Sequence, residues 1–190
     1  MNWEQYYKER PLSLERYVNN IWDHKPLLIE VASNGRNLLE VATGTGALSI
    51  FLSHLGHNII SIDNNDGVLE RARENNANLK GRVAFEKADA FNLPFADESF
   101  DVCFSQGFFE HFADGDIAKL LKEQLRVSRI VLFSVPSFWY PRQDFGDERL
   151  MEKEDWLRNL SEFKLEKSIY YSGRKGSEIN PSQIYFKVIS

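Results

Sequence analysis

Residues 38–46 read Leu-Leu-Glu-Val-Ala-Thr-Gly-Thr-Gly, an apolar run that leads directly into a loop with two glycines. Residues 47–55 follow with apolar side chains at helical spacing. A strand, a glycine loop and a helix in this order commonly hold a nucleotide-like ligand, because glycine permits backbone angles and close approaches that a side chain would block. Gly44 and Gly46 are therefore the first candidate binding residues of the chain.

Short apolar runs and helical patterns alternate on both sides of this loop. Helical spacing begins at Leu14, resumes at Ala47 and Val68, and returns around Ile117. The strand-like runs between the helices are residues 37–42, 58–62, 82–86, 100–104 and 129–135. This alternation predicts crossover connections and a parallel sheet that helices cover on both faces.

The C-terminal part of the chain has a different pattern. Residues 163–171 and 183–189 are both strand-like, and the turn-rich residues 172–176 between them leave no room for a helix. Two strands joined in this way must be antiparallel. The sequence thus predicts an α/β three-layer sandwich, in which a mostly parallel seven-stranded sheet ends in an antiparallel C-terminal hairpin. We predict a single domain, with residues 1–34 as an N-terminal helical cap and residues 35–190 as the core.

The composition narrows the classes of partner. The 190 residues fit one domain, and their net charge of −5 lacks the basic excess that favours nucleic-acid binding and attachment to anionic membranes. No apolar run has the length needed to span a bilayer. Cys103 is the single cysteine, so neither an intramolecular disulfide nor a thiolate metal cluster can form. We expect a cytoplasmic protein that binds no metal, no nucleic acid and no membrane.

Acidic residues stand at or just beyond the carboxyl ends of the first three predicted strands. They are Glu40, Asp63 and Asp89. In open parallel sheets, ligands bind beyond these ends. Such a cluster would repel a phosphate, whereas it would favour a nucleoside that carries positive charge. We predict that Asp63 accepts hydrogen bonds from the ribose hydroxyls, that Asp89 accepts one from an exocyclic amine, and that Glu40 faces a cationic amino-acid end.

The order of these motifs resembles that of class I S-adenosylmethionine-dependent methyltransferases. Residues 38–46 resemble the first motif of that family, and Asp63 resembles its second-strand acid. Residues 88–101 resemble the adenine-binding segment, and residues 106–112 resemble the segment after strand four. The resemblance covers residues 38–136 well. The chain departs from the family at Ala42, where glycine is frequent, and at residues 125–129, where a Pro-Gly-Gly turn is frequent.

The resemblance implies a Rossmann-like core, S-adenosyl-L-methionine as the cofactor and S-adenosyl-L-homocysteine as the product. It also implies transfer of a methyl group by in-line displacement. The acceptor expected is a small molecule, because the chain lacks the Asn/Asp-Pro-Pro-Tyr/Phe motif of enzymes that methylate nucleic-acid amines. The positions that match the family's cofactor-binding segments are Glu40, Ala42, Gly44, Gly46, Asp63, Asn64, Asp89, Ala90, Gln106 and Gly107.

The sequence defines the acceptor-binding part of the expected site less clearly than the cofactor-binding part. His111 follows strand four and is the first candidate for a general base, with Glu110 as the second. Four aromatic residues are candidates for the acceptor pocket or its lid, namely Tyr6, Tyr7, Trp139 and Tyr140. Tyr6 and Tyr7 resemble N-terminal tyrosines that cover the cofactor in some relatives. Each of these aromatic residues could equally be part of the ordinary packing.

Two other functions remain open at this point. Residues 44–49 nearly match the dinucleotide fingerprint, with Ser49 in place of the third glycine, so an NAD(P)-dependent oxidoreductase is the first alternative. The position of Glu40 just before the loop, Asp89 and the closing hairpin argue against it. The second alternative is a non-catalytic subunit that binds S-adenosylmethionine.

Overall fold

A seven-stranded sheet organises the computed structural model, which describes residues 3–141, 147–171 and 181–190. The strands are β1 (Asn37–Val41), β2 (Asn58–Asp63), β3 (Val83–Lys87), β4 (Phe100–Gln106), β5 (Ser128–Pro136), β6 (Lys164–Tyr171) and β7 (Gln183–Ile189). The helices are α1 (Trp3–Glu9), α2 (Leu14–Asp23), α3 (Lys25–Asn34), α4 (Ala47–His54), α5 (Asp66–Asn78), α6 (Asp114–Val127) and α7 (Lys153–Asn159). A 3₁₀ turn spans Phe109–His111.

The strand order across the sheet is β3-β2-β1-β4-β5-β7-β6. The first five strands pair in parallel, and β7 pairs antiparallel with both β5 and β6. The predicted fold, a mostly parallel sheet closed by an antiparallel hairpin, is confirmed. The order reverses between β1 and β4, so the loops after these two strands open at the same edge of the sheet.

Both faces of the central strands are buried, which explains their nearly continuous apolar runs. Along β1, Leu38 faces a cluster that contains Leu27 and Val31 of α3. Leu39 faces the opposite cluster, which contains Trp156 of α7. Cys103 on β4 is fully buried in this second cluster.

The N-terminal pattern contains more breaks than the periodicity predicts. Residues 3–34 divide into three helices, with Ser13 as the N-cap of α2, where its hydroxyl accepts the N–H of Arg16 at 3.2 Å. Pro26 lies in the first turn of α3. Helix α3 packs on the sheet, because Leu27, Leu28 and Val31 of this helix are buried there.

The strand boundaries predicted from the sequence agree with the structure to within one or two residues. The larger difference is helix α7, which the sequence analysis did not predict, whereas α1 lies within the predicted N-terminal helical cap. The turn predicted for residues 172–176 lies outside the described residues. Within the described part of the chain, no helix combines the length and the apolar character needed to cross a membrane.

Candidate active site

The loop after β1 turns sharply, because three of its residues adopt left-handed backbone angles. The angle φ is +64° at Ala42, +53° at Gly44 and +75° at Gly46. Ala42 stands where glycine is frequent in the family that the sequence resembles, and this geometry costs a residue with a Cβ about 1–2 kcal/mol. The hydroxyl of Thr43 lies 2.7 Å from that of Ser61 and ties the loop to β2.

Two cavities adjoin this loop and share part of their lining. We name them the Asp63 cavity, of about 200 Å³, and the Glu40 cavity, of about 230 Å³. The residues that line both are Trp3, Tyr7, Ala42, Gly44, Gln106, Gly107 and His111. The loops after β1 and β4 therefore form the wall at which the two cavities meet.

The Asp63 cavity has a carboxylate at the end of β2. Asp63 Oδ1 accepts a hydrogen bond from the N–H of Asn65 at 3.0 Å. Burial raises the pKa of Asp63, while backbone N–H groups of Asn65, Gly44 and Asn64 oppose this shift. Asn65 caps α5, since its side chain accepts the N–H of Val68 at 3.1 Å. Asn64 instead lines the cavity.

The remaining wall of the Asp63 cavity combines a second acid with aromatic rings. Asp89 Oδ1 accepts the N–H of Phe91 at 2.9 Å, so this residue shapes the turn after β3 and also lines the cavity. Phe112 packs edge-on against Phe91 and Phe108, with ring centroids 5.7 and 4.8 Å apart. Together with the small side chain of Ala90, these rings offer an apolar surface suited to a flat heterocycle.

The Glu40 cavity is named for a carboxylate that is almost completely buried. Glu40 is 4% exposed, and its Oε2 accepts the hydroxyl of Ser61 at 2.6 Å. Burial raises the pKa of Glu40 to about 7; the hydrogen bond from Ser61 opposes this shift, and the charge of Asp63 adds to it. A cationic group bound in this cavity would favour the ionised form of Glu40.

Glu110 and His111 project into the Glu40 cavity from the 3₁₀ turn after β4. Glu110 is 2% exposed, and its Oε2 has no hydrogen-bond partner among the described residues. Burial raises the pKa of Glu110 to about 8; its own backbone N–H opposes the shift, and the charges of Glu148 and Asp147 add to it. His111 Nδ1 lies 2.7 Å from Asp147 Oδ1, and its Nε2 lies 4.0 Å from Glu110 Oε1.

Helix α1 covers the junction of the two cavities with aromatic rings. Trp3 stacks on Tyr7 and meets His111 edge-on, with centroid separations of 6.1 and 5.0 Å. The hydroxyl of Tyr7 approaches the glycine loop so closely that a Cβ on Gly44 would lie 2.7 Å from it. Tyr6 lines only the Glu40 cavity. A ligand that crossed the junction would therefore be shielded from water by α1.

The chemistry of the two linings fits a cationic nucleoside that carries an amino-acid end. No Lys or Arg lines either cavity among the residues that the structure describes, whereas Asp63 and Asp89 line one and Glu40 and Glu110 line the other. Carboxylates accept hydrogen bonds from hydroxyls and amines. They would repel the pyrophosphate of a dinucleotide. S-adenosylmethionine therefore fits these residues, and NAD fits them poorly.

Comparison with known proteins identifies the domain. Residues 38–130 match the model of a family described as a methyltransferase domain. The structure superposes on the SAM-dependent methyltransferase from Aquifex aeolicus with a TM-score of 0.75, at 16% identity, over 100% of this chain and 98% of that chain. Residues 38–130 form a methyltransferase domain. The cofactor predicted from the sequence, S-adenosyl-L-methionine, is thereby confirmed at the level of the family.

Curated relatives match this methyltransferase domain over part of their length. Demethylmenaquinone methyltransferase of Thermobifida fusca is 35% identical over 126 residues, which cover 64% of this chain and 50% of that protein. The corresponding protein of Deinococcus radiodurans is 32% identical over 125 residues, which cover 63% and 51%. The chain thus spans about half the length of these relatives. The comparisons give no support to an oxidoreductase or to a non-catalytic subunit.

The structure of the methyltransferase domain brings together nearly all the candidate cofactor residues. The exception is Gly46, which lines neither cavity. A Cβ on Gly46 would lie 3.2 Å from the ring of Phe85 and 3.4 Å from the Cβ of Ala72. Gly46 therefore lets α4 begin close to its neighbours, and its part in the site is indirect.

The candidate acceptor residues divide into two groups. Tyr6, Tyr7, Tyr140 and His111 line the Glu40 cavity. Trp139 lines neither cavity and packs on Tyr170, with ring centroids 5.5 Å apart. The physical reason is a turn in which the N–H of Tyr140 donates to the carbonyl of Ser137 at 2.9 Å. Tyr140 faces the cavity from this turn, whereas Trp139 is 42% exposed.

Sequence reasoning missed several residues of the Glu40 cavity. They are Asn20, Asp23, His24, Glu148 and Gln183. They come from the end of α2, from the segment before α7 and from the start of β7, so tertiary structure alone brings them together. The aromatic residues Phe91, Phe108 and Phe112 were also missed. Their position next to the motifs at residues 88–90 and 106–107 was a usable signal.

Proposed function

We propose that this chain transfers the methyl group of S-adenosylmethionine to a small-molecule acceptor. The observation that carries the proposal is the junction of the two cavities at Gly44 and Gly107. One cavity offers an apolar surface and acids suited to a nucleoside, and the other offers buried acids suited to cationic groups. A single ligand that spanned the junction would be held at its nucleoside by one cavity and at its amino-acid end by the other.

The residues of each cavity have distinct roles in holding this ligand. Asp63 would accept hydrogen bonds from the ribose hydroxyls, and Asp89 would accept one from the adenine amine. Phe91, Phe108 and Phe112 would pack around the adenine ring. Glu40 would face the ammonium group of the amino-acid end. When bound, S-adenosylmethionine supplies a methyl group that is already activated on a sulfonium sulfur.

The contribution of the protein to the reaction is mainly alignment. An in-line displacement needs the attacking atom, the methyl carbon and the sulfur in one line, and holding them there accounts for much of the rate. The rings of Trp3 and Tyr7 on α1 exclude water from the junction and favour the cationic sulfonium. The acceptor would enter from the part of the Glu40 cavity lined by Tyr140, Glu148 and His111.

His111 is the proposed general base when the acceptor must lose a proton. Asp147 accepts the Nδ1–H of His111 at 2.7 Å, which selects the tautomer whose lone pair lies on Nε2. His111 lines both cavities and therefore stands at their junction. Replacing His111 with Ala should lower kcat by about 100-fold or more, since a general base contributes at least this factor. Unchanged turnover with normal cofactor binding would remove His111 from the mechanism.

The test of the proposed function has a binding step and a turnover step. S-adenosylhomocysteine at about 100 times its Kd should raise Tm by about 5–10 °C, whereas NAD at the same concentration should not. Formation of S-adenosylhomocysteine from S-adenosylmethionine, followed across a panel of small acceptors, tests the transfer. Binding without transfer to any acceptor would favour a non-catalytic subunit, and stabilisation by NAD alone would contradict the proposal.

A further inference from the structure

The charges that line the Glu40 cavity are almost all negative. Its described lining contains the four acids Asp23, Glu40, Glu110 and Glu148, two histidines, and neither Lys nor Arg. An anionic acceptor, such as a carboxylate or a phosphate ester, would meet repulsion from several sides. A cationic acceptor would meet attraction. The inference that follows rests on the proposed function and concerns the class of acceptor.

The acids divide between the two ends of this cavity. Glu40 lies on β1, where Ser61 hydrogen-bonds it, and it is the acid proposed for the amino-acid end of the cofactor. Glu110 lies after β4 and close to Gly107, since a Cβ on Gly107 would lie 3.4 Å from Glu110 Oε1. Glu110 therefore stands beside the junction of the cavities, on the side from which the acceptor approaches.

The carboxylate of Glu110 is incompletely satisfied by the protein. Its side chain is 3% exposed, and Oε2 is buried without a hydrogen-bond partner in the described structure. Arg149 donates its backbone N–H to the carbonyl of Glu110, but its guanidinium bonds Asp114 and the carbonyl of Phe112. An unpaired buried carboxylate is costly, and for this reason burial raises the pKa of Glu110. A ligand that donates hydrogen bonds and carries positive charge would favour the ionised carboxylate and is the best complement to this site.

We propose that the acceptor is a small primary or secondary amine, which Glu110 binds as its ammonium ion and which is methylated on nitrogen. An ammonium ion cannot attack carbon until it loses a proton. His111 stands next to Glu110, with Nε2 4.0 Å from Oε1, and Asp147 holds its other nitrogen. The same constellation therefore provides the counter-ion that binds the ammonium and the base that deprotonates it.

The step balances without a further reactant. An N–H proton of the ammonium passes to His111 Nε2, which leaves a neutral amine and an imidazolium between two carboxylates. The nitrogen lone pair then forms the new N–C bond as the C–S bond breaks and its electron pair remains on sulfur. The products are the N-methylated ammonium and S-adenosylhomocysteine, and the proton leaves His111 for solvent.

The test compares matched acceptors on the protein saturated with S-adenosylhomocysteine. Two sets of probes share a carbon skeleton: benzylamine, benzyl alcohol and benzoate, and butylamine, butanol and butyrate. Affinities are measured by ligand-observed NMR at pH 8.5, above the pKa of about 8 that burial gives Glu110, so that its carboxyl is mostly ionised. In at least one set the amine should bind about tenfold more tightly than the alcohol, and the carboxylate more weakly than both. Incubation with S-adenosylmethionine should then give the N-methylated amine, identified by mass spectrometry.

The variant Glu110→Gln separates this inference from the proposed function. It keeps the shape of the side chain and removes its charge, so the protein should fold. The preference for the amine should disappear, while the Kd of S-adenosylhomocysteine changes by less than about twofold. Glu70→Gln, on the exposed face of α5, is the matched control and should change neither value.

Each result has one meaning. An amine preference that Glu110→Gln abolishes supports the inference. An alcohol or carboxylate that binds as tightly as the amine in both sets overturns it, and so does an amine preference that survives in Glu110→Gln. Failure of the wild-type protein to bind S-adenosylhomocysteine would instead contradict the proposed function itself.

Discussion

The Asp63 cavity and the Glu40 cavity share one wall but are built in different ways. The Asp63 cavity is lined by residues at the ends of adjacent strands, such as Asp63 at the end of β2 and Asp89 just after β3. The Glu40 cavity adds residues from α2, from the segment before α7 and from β7. One cavity is thus defined by short motifs, and the other by how distant parts of the chain pack.

This difference suggests that one cavity serves the cofactor and the other determines the acceptor. A cavity built from contiguous motifs at strand ends can serve the same cofactor in many chains of this fold. A cavity assembled from remote segments can vary with the acceptor. The predictions below test whether the two cavities contribute separately to binding.

The largest expected effect is that of Asp63→Ala. The loss of two charged hydrogen bonds to the ribose should weaken the binding of S-adenosylhomocysteine about 100-fold. Isothermal titration calorimetry at pH 7.5 measures this change in Kd. Asp66→Ala removes a nearby acid that is exposed and paired with Lys87, so its effect on binding should be negligible. A loss below about threefold in Asp63→Ala would contradict the assignment.

Glu40→Gln should weaken S-adenosylhomocysteine by about tenfold at pH 8, because it removes the counter-ion of the ligand's ammonium. The effect should depend on pH. The pKa of Glu40 is raised to about 7 in the unligated protein, so below pH 7 a bound cation must expel a proton. Wild-type affinity should therefore fall as pH drops below 7, and the affinity of the variant should not.

The raised pKa of Glu40 also predicts how the stability of the unligated protein depends on pH. The folded state favours the protonated carboxyl of Glu40. The resulting contribution to the free energy of unfolding is fully present below about pH 4.5, the pKa in the unfolded chain, and is lost as the pH rises through about 7, the pKa in the folded protein. Unligated Glu40→Gln should therefore gain stability relative to the wild type between pH 5 and pH 8, measured by chemical denaturation. An equal difference at both pH values would argue against a raised pKa.

Gly44→Ala should affect both cavities at their shared wall. Its φ of +53° strains a residue with a Cβ, and that Cβ would lie 2.7 Å from the hydroxyl of Tyr7. Gly56→Ala is the matched control, because Gly56 has a φ of +90° with nothing within 4 Å of a Cβ. Both should lose about 1–2 kcal/mol of stability. Only Gly44→Ala should also weaken the binding of S-adenosylhomocysteine, by about fivefold. If the two variants bind S-adenosylhomocysteine equally well, the contact between Tyr7 and the glycine loop does not contribute to cofactor binding.

The smallest effect is expected from Ala42→Gly. Ala42 has a φ of +64°, which glycine adopts without a Cβ clash. The free energy of unfolding should rise by up to about 1 kcal/mol, which corresponds to about 2–4 °C in Tm. Cofactor affinity should not change. A fall in Tm would show that the lost side chain contributes more than the relieved strain.

The sequence was sufficient to predict the sheet, because its central strands are buried on both faces and most of its helices carry an apolar stripe. It was less informative for residues 3–34, where α2 and α3 meet at His24 and Pro26 in the first turn of α3 was the main signal of a break. His24 and Asp23 line the Glu40 cavity as a result of that break. Their role could not be predicted from periodicity, because it depends on the angle between two helices.

The two aromatic pairs show the same limit. Tyr6 and Tyr7 were candidates by resemblance, and both line the Glu40 cavity. Trp139 and Tyr140 were equivalent in the sequence, but the turn from Ser137 to Tyr140 separates them. Side-chain direction in a turn depends on hydrogen bonds that the residue types alone do not define.

The central claim is that one ligand spans both cavities, and fragment binding tests it most directly. Adenosine alone should occupy only the Asp63 cavity, so Glu40→Gln should change its Kd by less than about twofold while it weakens S-adenosylhomocysteine about tenfold. Asp63→Ala should weaken both ligands. The account is contradicted if Glu40→Gln weakens adenosine binding as much as S-adenosylhomocysteine binding, or if Asp63→Ala leaves adenosine binding unchanged. In either case the nucleoside and the amino-acid end would not bind in separate cavities.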